Sequence, residues 1–226
     1  MSEHSSPTIG FIGGTGPQGR GLGLRLAMAG HRVLIGSRDL ARAEEVAAAV
    51  AREVPGLAVE GRTNAALCAQ ADVLVVVVPY AAQRPTLAPL AAAIGDKVVI
   101  DCVNALAFDA DGPHPVPVDA GSAVEECQGL LPSARVVGAW QNVSAVVLNR
   151  PDEPVDVDVL ITGDDHGARE VAAGLIEAIP GMRAVHAGPL RLSRPIEELT
   201  AVLIAVNQRY KTHAGIKIAG LPEIGR

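Results

Sequence analysis

Lysine is nearly absent from this chain of 226 residues: Lys97, Lys211 and Lys217 stand against 16 arginines. A Tyr-x-x-x-Lys pair for alcohol or ketone reduction is therefore missing, because Tyr80 is followed four positions later by Arg84. Only five aromatics occur (Phe11, Tyr80, Phe108, Trp140 and Tyr210), so the core has to be assembled from Ala, Val, Leu and Ile. The three cysteines, Cys68, Cys102 and Cys127, are odd in number and far apart, which excludes a disulfide framework and a CxxC redox or zinc motif. That usage points to a reducing, cytoplasmic setting. None of the six histidines forms an HxxxH or HExxH pair, so no metal site is expected. No run approaches the roughly 18 apolar residues of a membrane span, and Met1 to Thr8 is too short and polar for a secretory leader. A net charge of −6 disfavours non-specific coating of nucleic acid.

What is present belongs to a folded α/β chain: 49% hydrophobic and 19% charged residues leave no room for intrinsic disorder. The charge is unevenly spread. Up to Met182 there are 12 basic against 22 acidic residues, whereas Arg183 to Arg226 holds 7 against 3. Short apolar runs alternate with Ala-rich helical stretches. Strands are expected over 8–12, 32–35, 57–60, 73–78, 98–102, 135–139 and 158–162. Helices are expected over 18–29, 40–53, 65–71, 88–94, 122–130, 169–178 and 197–210, and the Asp/Gly/Pro-rich stretch 109–119 reads as loop. Alternation of this kind implies a Rossmann-type, doubly wound parallel sheet over residues 1–150, with a smaller α/β extension over 151–226. The apolar stripe of the last helix (Leu199, Val202, Leu203, Val206) suits either the edge of the sheet or a subunit interface.

Gly14-Thr15-Gly16-Pro17-Gln18-Gly19 spells GxGxxG, and its setting matters more than its spelling: an apolar strand precedes it and a helix follows. Gly14 supplies the tight turn, Gly16 lets a pyrophosphate approach the backbone, and Gly19 lets the helix pack on the strand. Helix-start N–H groups then face the anion. Pro17 fits the first turn, where no amide hydrogen is needed. About twenty residues past the glycines, NAD-binding chains carry an acidic residue for the ribose. Here the second strand ends in Gly36-Ser37-Arg38, with Arg42 one turn into the next helix. A hydroxyl and two guanidinium groups suit a 2′-phosphate, so NADP is the expected cofactor. Arg38 and Arg42 also read as an exposed helix-start pair, and Asp39 as the N-cap of that helix. Val78 and Pro79 end the fourth expected strand, Asn104 follows the fifth, and all three would border the crevice holding ribose and nicotinamide. Tyr80 either edges a ring there or covers the core.

No convincing acid/base pair accompanies this motif, His186 and His213 being isolated. Hydride passage between two ring cofactors needs mainly proximity and orientation, which agrees with that lack. The chain also resembles the NADPH-dependent coenzyme F420 reductases, or F420H2:NADP oxidoreductases. The likeness rests on Gly13-Gly14-Thr15-Gly16, Leu24-Arg25-Leu26-Ala27, Gly30-His31 and Gly36-Ser37-Arg38 in the first half. Downstream it rests on Thr162-Gly163-Asp164-Asp165, Ala187-Gly188-Pro189-Leu190, Ser193-Arg194, Glu198-Leu199-Thr200 and Gly215-Ile216-Lys217. The resemblance implies that Thr15, Gly16, Pro17 and Gln18 wrap the pyrophosphate. It implies that Ser37, Arg38 and Arg42 hold the 2′-phosphate, and that Val78, Asn104 and Ala145 border the nicotinamide end. It further implies a deazaflavin, coenzyme F420, over the nicotinamide near Trp140, Gln141, Asn142, Ala214 and Gly215. Where archaeal members carry His-Thr-Ile-Pro, this chain has Gln141-Asn142-Val143-Ser144.

The expected activity is reversible hydride transfer between NADP(H) and coenzyme F420 in a homodimer whose C-terminal part covers the deazaflavin. Arg191, Arg194, Arg209, Lys211 and Lys217 are candidates for steering the acidic side arm of that coenzyme. Two other readings stay open: an NADP-dependent reductase of an imine, acid or ferric chelate using Lys97 or His213 as proton donor, and a non-catalytic NADP sensor.

Overall fold

Residues 9–12, Ile-Gly-Phe-Ile, are all buried and form the central strand β1 (Ile9–Ile12) in a computed structural model that describes residues 6–221. Most of the Met1 to Thr8 stretch read as lacking a leader lies outside the described residues. β1 is flanked on one side by β2 (Val33–Ser37) and β3 (Val59–Thr63) and on the other by β4 (Val73–Val76), β5 (Val98–Asp101) and β8 (Arg135–Gly138), all parallel. Strand order reverses between β1 and β4, the switch point at which such sheets bind their ligands. β9 (Val157–Gly163) joins β8 antiparallel, through Val137 opposite Gly163, and β10 (Met182–Gly188) closes the edge parallel to β9. One eight-stranded sheet thus runs continuously across residue 150.

Two apolar layers cover the sheet. One contains Phe11, Leu22, Ile35, Val75, Ile100 and Trp140, and the other Ile12, Leu34, Leu67, Leu74, Val99 and Val136. Both faces of β1, β4 and β5 are therefore dry, which is why those strands read as unbroken apolar runs. Helix starts follow local chemistry. Asp39 caps α2 (Leu40–Glu53) by accepting from the Ala41 N–H at 3.0 Å, as its position foretells, while Thr63 caps α3 (Asn64–Gln70) and Asp165 caps α8 (His166–Glu177). Pro17 opens α1 (Pro17–Met28), with Gly16 as its N-cap.

Four departures from the sequence expectations have physical causes. The third strand runs 59–63 rather than 57–60, because it continues until Thr63 takes over as a helix cap. A helix α4 (Tyr80–Leu87) precedes the expected one, which is reduced to a 3₁₀ turn and α5 (Ala91–Ile94). Pro85 inside α4 masks its periodicity. The stretch read as loop carries the turn and second strand of a hairpin, β6 (Leu106–Asp109) with β7 (Gly112–Pro115), whose first strand is also not among those expected. Its turn is made by the Asp109 carboxylate, which accepts from the N–H groups of Asp111 and Gly112, with Gly112 at φ +115°. Pro113 and Pro115 hide the strand signal there while remaining compatible with a two-stranded edge. The last helix, α9 (Ser193–Tyr210), starts one turn before Glu197, because Pro195 falls in the first turn, where it costs no hydrogen bond. The remaining helices, α6 (Ala123–Leu130) and α7 (Ala145–Leu148), follow β7 and β8.

Candidate functional site

A cavity of about 550 Å³ opens at the C-terminal edge of the sheet, a volume within the range of cofactor and ligand clefts. The segments following β1, β4, β5 and β8 form its floor. α9, the β6–β7 hairpin and Ala214 form its other walls. Ten residues assigned to cofactor binding from the sequence line it, Gly16, Pro17, Gln18, Val78, Pro79, Asn104, Gln141, Asn142, Ala145 and Ala214, and so does Tyr80.

The glycine loop stands at one end. The Asn64 side chain of α3 accepts from the Gly13 N–H at 3.1 Å and pins the turn, in which Gly13 has φ +74°. Gly14 and Gly19 are closed to side chains by the protein itself. A Cβ on Gly14 would meet the Phe11 Cβ at 2.6 Å, and one on Gly19 would meet the Gly14 Cα at 2.5 Å. Gly16 differs, since a Cβ there meets no protein atom within 4 Å. The space above it, at the start of α1, is the kind of cradle a diphosphate fills. Thr15 completes the turn. Beside the loop, at the end of β2, Ser37 Oγ accepts from the Asp39 N–H at 3.2 Å, Arg38 is exposed, and Arg42 pairs with Glu45 at 2.6 Å. These three are not among the residues that line the cavity.

The other end is held by amides. Asn104 Nδ2 donates to the Gln141 carbonyl at 3.0 Å, and Asn142 Nδ2 donates to the Ile196 carbonyl at 2.8 Å. Gln18 Nε2 donates to the Trp140 carbonyl at 3.3 Å, tying α1 to the end of β8. Trp140 has φ +64°, a conformation costly for a bulky residue, and it turns the chain so that residues 141–145 wrap the cavity. Its ring is 1% exposed and sits in the core, so at this site the tryptophan acts through its backbone. Gly215 also lies outside the lining and packs against Val157 of β9.

Among the lining residues only Tyr80 and Cys102 titrate. Burial, and then the hydrogen bond to Glu126 at 2.9 Å, push the Tyr80 phenol up to about 12. Burial pushes the Cys102 thiol well up too, so both are fully protonated near neutrality. Lys97, His186 and His213 are not in the lining. Lys97 precedes β5, at the opposite edge of the sheet. Of the basic tail residues, Lys217 pairs with Asp156 at 2.5 Å and Arg194 with Glu198 at 2.7 Å, while Arg209 and Lys211 are exposed at the end of α9. Sequence reasoning missed Asn64, Leu106, Phe108, Ile204 and Asn207, which carry no local motif; it read Leu203 only as part of an apolar stripe for the sheet edge or an interface, and gave Val143, Ser144 and Thr200 no role of their own.

Among the described residues no helix is long and apolar enough to cross a membrane. Residues 8–105 match the model of the family described as NADP oxidoreductase, coenzyme F420-dependent. The F420-dependent NADP reductase of Methanothermobacter thermautotrophicus is 44% identical over 223 residues, covering 95% of this chain and 96% of that one. The enzyme of the same name from Methanocaldococcus jannaschii is 39% identical and covers 94% and 98%. The crystal structure of a candidate F420-dependent NADP reductase from Arthrobacter sp. FB24 superposes with a TM-score of 0.82 at 27% identity, covering 95% of this chain and all of that one. With identities of this size over nearly its whole length, this chain belongs to the family of F420-dependent NADP reductases.

Proposed function

We propose that this protein transfers hydride reversibly between NADP(H) and coenzyme F420. The observation that carries the reading is a cofactor-sized cavity at the switch-point edge of the sheet whose only titratable side chains, among the described residues, are held protonated. A reductase of a carbonyl, imine or acid needs a proton donor beside the reacting carbon, and Lys97 and His213 stand outside the lining. Two rings brought face to face need none: hydride leaves C4 of the nicotinamide for C5 of the deazaflavin, and solvent supplies the one accompanying proton.

In this reading Gly14, Thr15, Gly16, Pro17, Gln18 and Gly19 form the diphosphate turn, with Gly16 open to the ligand. Ser37, Arg38 and Arg42 receive the 2′-phosphate. Val78, Pro79, Asn104 and Ala145 border the nicotinamide end. Gln141, Asn142 and Ala214, with the Trp140 backbone beneath and Gly215 behind, line the deazaflavin side, where Leu203 and Ile204 exclude water. Arg209 and Lys211, exposed beside the Ala214 wall, would face the acidic side arm of the coenzyme. The part beyond Arg150 acts as the cover, and α9 offers a homodimer contact through Val202, Val206 and Tyr210 on its outer side. The protein works in the cytoplasm.

The test mixes enzyme, NADPH and oxidised F420 without oxygen and follows the absorbance of the deazaflavin. Stoichiometric loss with NADPH, and far slower loss with NADH, is expected. No loss with either nucleotide overturns the reading, and NADPH oxidation with an imine or ferric chelate in its place would favour the alternative reductases.

A further inference from the structure

Thr200 lies on the cavity side of α9, and its hydroxyl meets three groups from two other segments. It accepts from Asn142 Nδ2 at 2.9 Å and lies 3.1 Å from both Asn104 Oδ1 and the Gln141 carbonyl oxygen. One hydroxyl proton can serve only one of those two acceptors at a time, so the hydroxyl is shared between them. The arrangement also fixes the Asn104 amide. Its nitrogen donates to the Gln141 carbonyl, and a flipped amide would set oxygen against oxygen there. All four residues line the cavity. Asn104 follows β5 and the Gln141-Asn142 pair follows β8, whereas Leu203, Ile204 and Asn207 lie within two turns of Thr200 on α9. A single side chain thus joins the floor of the cavity to its opposite wall.

We propose that Thr200 is a positioning residue for hydride transfer: its hydroxyl sets the spacing between the α9 wall and the loops after β5 and β8. The proposal rests on the hydride-transfer reading given above. Direct transfer is efficient only when the reacting atoms are held about 3 to 3.5 Å apart and aligned, and an ångström of drift costs about 100-fold. The anchor next to Thr200 is also strong. Glu197, one turn earlier, accepts from the Ala123 and Val124 N–H groups at 3.0 and 3.1 Å, fixing that part of α9 on α6. Thr200 carries this fixed helix to the amides of the floor.

The test compares wild type with Thr200→Val, which keeps the shape and removes the hydroxyl, and Thr200→Ser, which restores it. Single-turnover hydride transfer from bound NADPH to F420 should slow by roughly 10- to 100-fold in Thr200→Val, with the KM for NADPH changed by less than about threefold. Thr200→Ser should recover most of the rate. With NADPH deuterated at C4, the isotope effect on turnover should grow in Thr200→Val, since chemistry becomes the slow step; a role limited to stability would leave it unchanged. A Thr200→Val rate like that of wild type, or a Thr200→Ser rate as slow as that of Thr200→Val, overturns the proposal. Should Thr200→Val lose its cooperative melt, Thr200→Ala removes the hydroxyl without setting a second methyl group against the Asn142 amide. A slowed transfer then supports the proposal, and an unchanged one overturns it. Wild type inert toward F420 overturns the reading and the proposal together, whereas an active wild type matched by Thr200→Val overturns the proposal alone.

Discussion

Gly19 lies so close to Gly14 that a Cβ on Gly19 would stand 2.5 Å from the Gly14 Cα, while a Cβ on Gly16, between them, would touch no protein atom within 4 Å. Two glycines of the motif serve packing, and the third faces open space. Gly19→Ala should lower stability by about 1–3 kcal/mol through overpacking. Gly16→Ala should melt as wild type does and yet bind NADPH at least about tenfold more weakly, because the methyl group occupies the diphosphate cradle. Thermal melts and nucleotide titrations on both variants check this, and equal behaviour of the two would refute the division of roles.

Ser37 and Arg38 end β2 where NAD-binding chains carry an acidic residue. Arg38→Ala removes a charge-assisted contact worth about 1.5–3 kcal/mol, so the KM for NADPH should rise about 10- to 100-fold with that for NADH nearly constant. Ser37→Glu adds repulsion and should bring the two nucleotides close to parity. Unchanged discrimination in both variants would overturn the 2′-phosphate assignment.

Glu197 is 3% exposed, and burial pushes its carboxyl from 4.5 up to about 7, despite the two N–H groups that favour its charge. Between those values the folded chain holds a proton that the unfolded chain has released. Stability from this group is therefore complete below about pH 4.5 and is lost as pH rises through about 7, a change of about 3 kcal/mol. Burial raises the neighbouring Asp101 carboxyl in the same sense. The measure is thus the difference between wild type and Glu197→Gln, whose melting temperature should fall less between pH 5 and pH 8. Parallel pH profiles for the two proteins would contradict the buried-proton account.

Val202 is 56% and Tyr210 69% exposed, and with Val206 they form a stripe at four-residue spacing on α9, outside the cavity lining. If this stripe is the homodimer contact, wild type should sediment as a dimer and Val202→Asp as a monomer at micromolar concentration. A wild-type monomer, or a Val202→Asp dimer, would remove α9 from the interface.

The glycine loop, its flanking strand and helix, the Asp39 cap and the Ser37-Arg38 pair were legible in the sequence because each obeys a local rule. Backbone geometry decides where glycine is needed, side chains within three residues decide a cap, and apolar runs of four or five residues mark strands buried on both faces. The β6–β7 hairpin and α4 escaped because prolines, two on an edge strand and Pro85 inside the helix, erase the local signal. What the tertiary structure alone decided is the far wall of the site. Thr200 meets Asn104 across 96 residues, and Asn64 meets Gly13 across 51. Such contacts follow from how the sheet stacks its helices, and no spacing rule along the chain encodes them. Sequence determined where a dinucleotide turn forms, through the conformations each residue permits, and packing decided which distant side chains close around it.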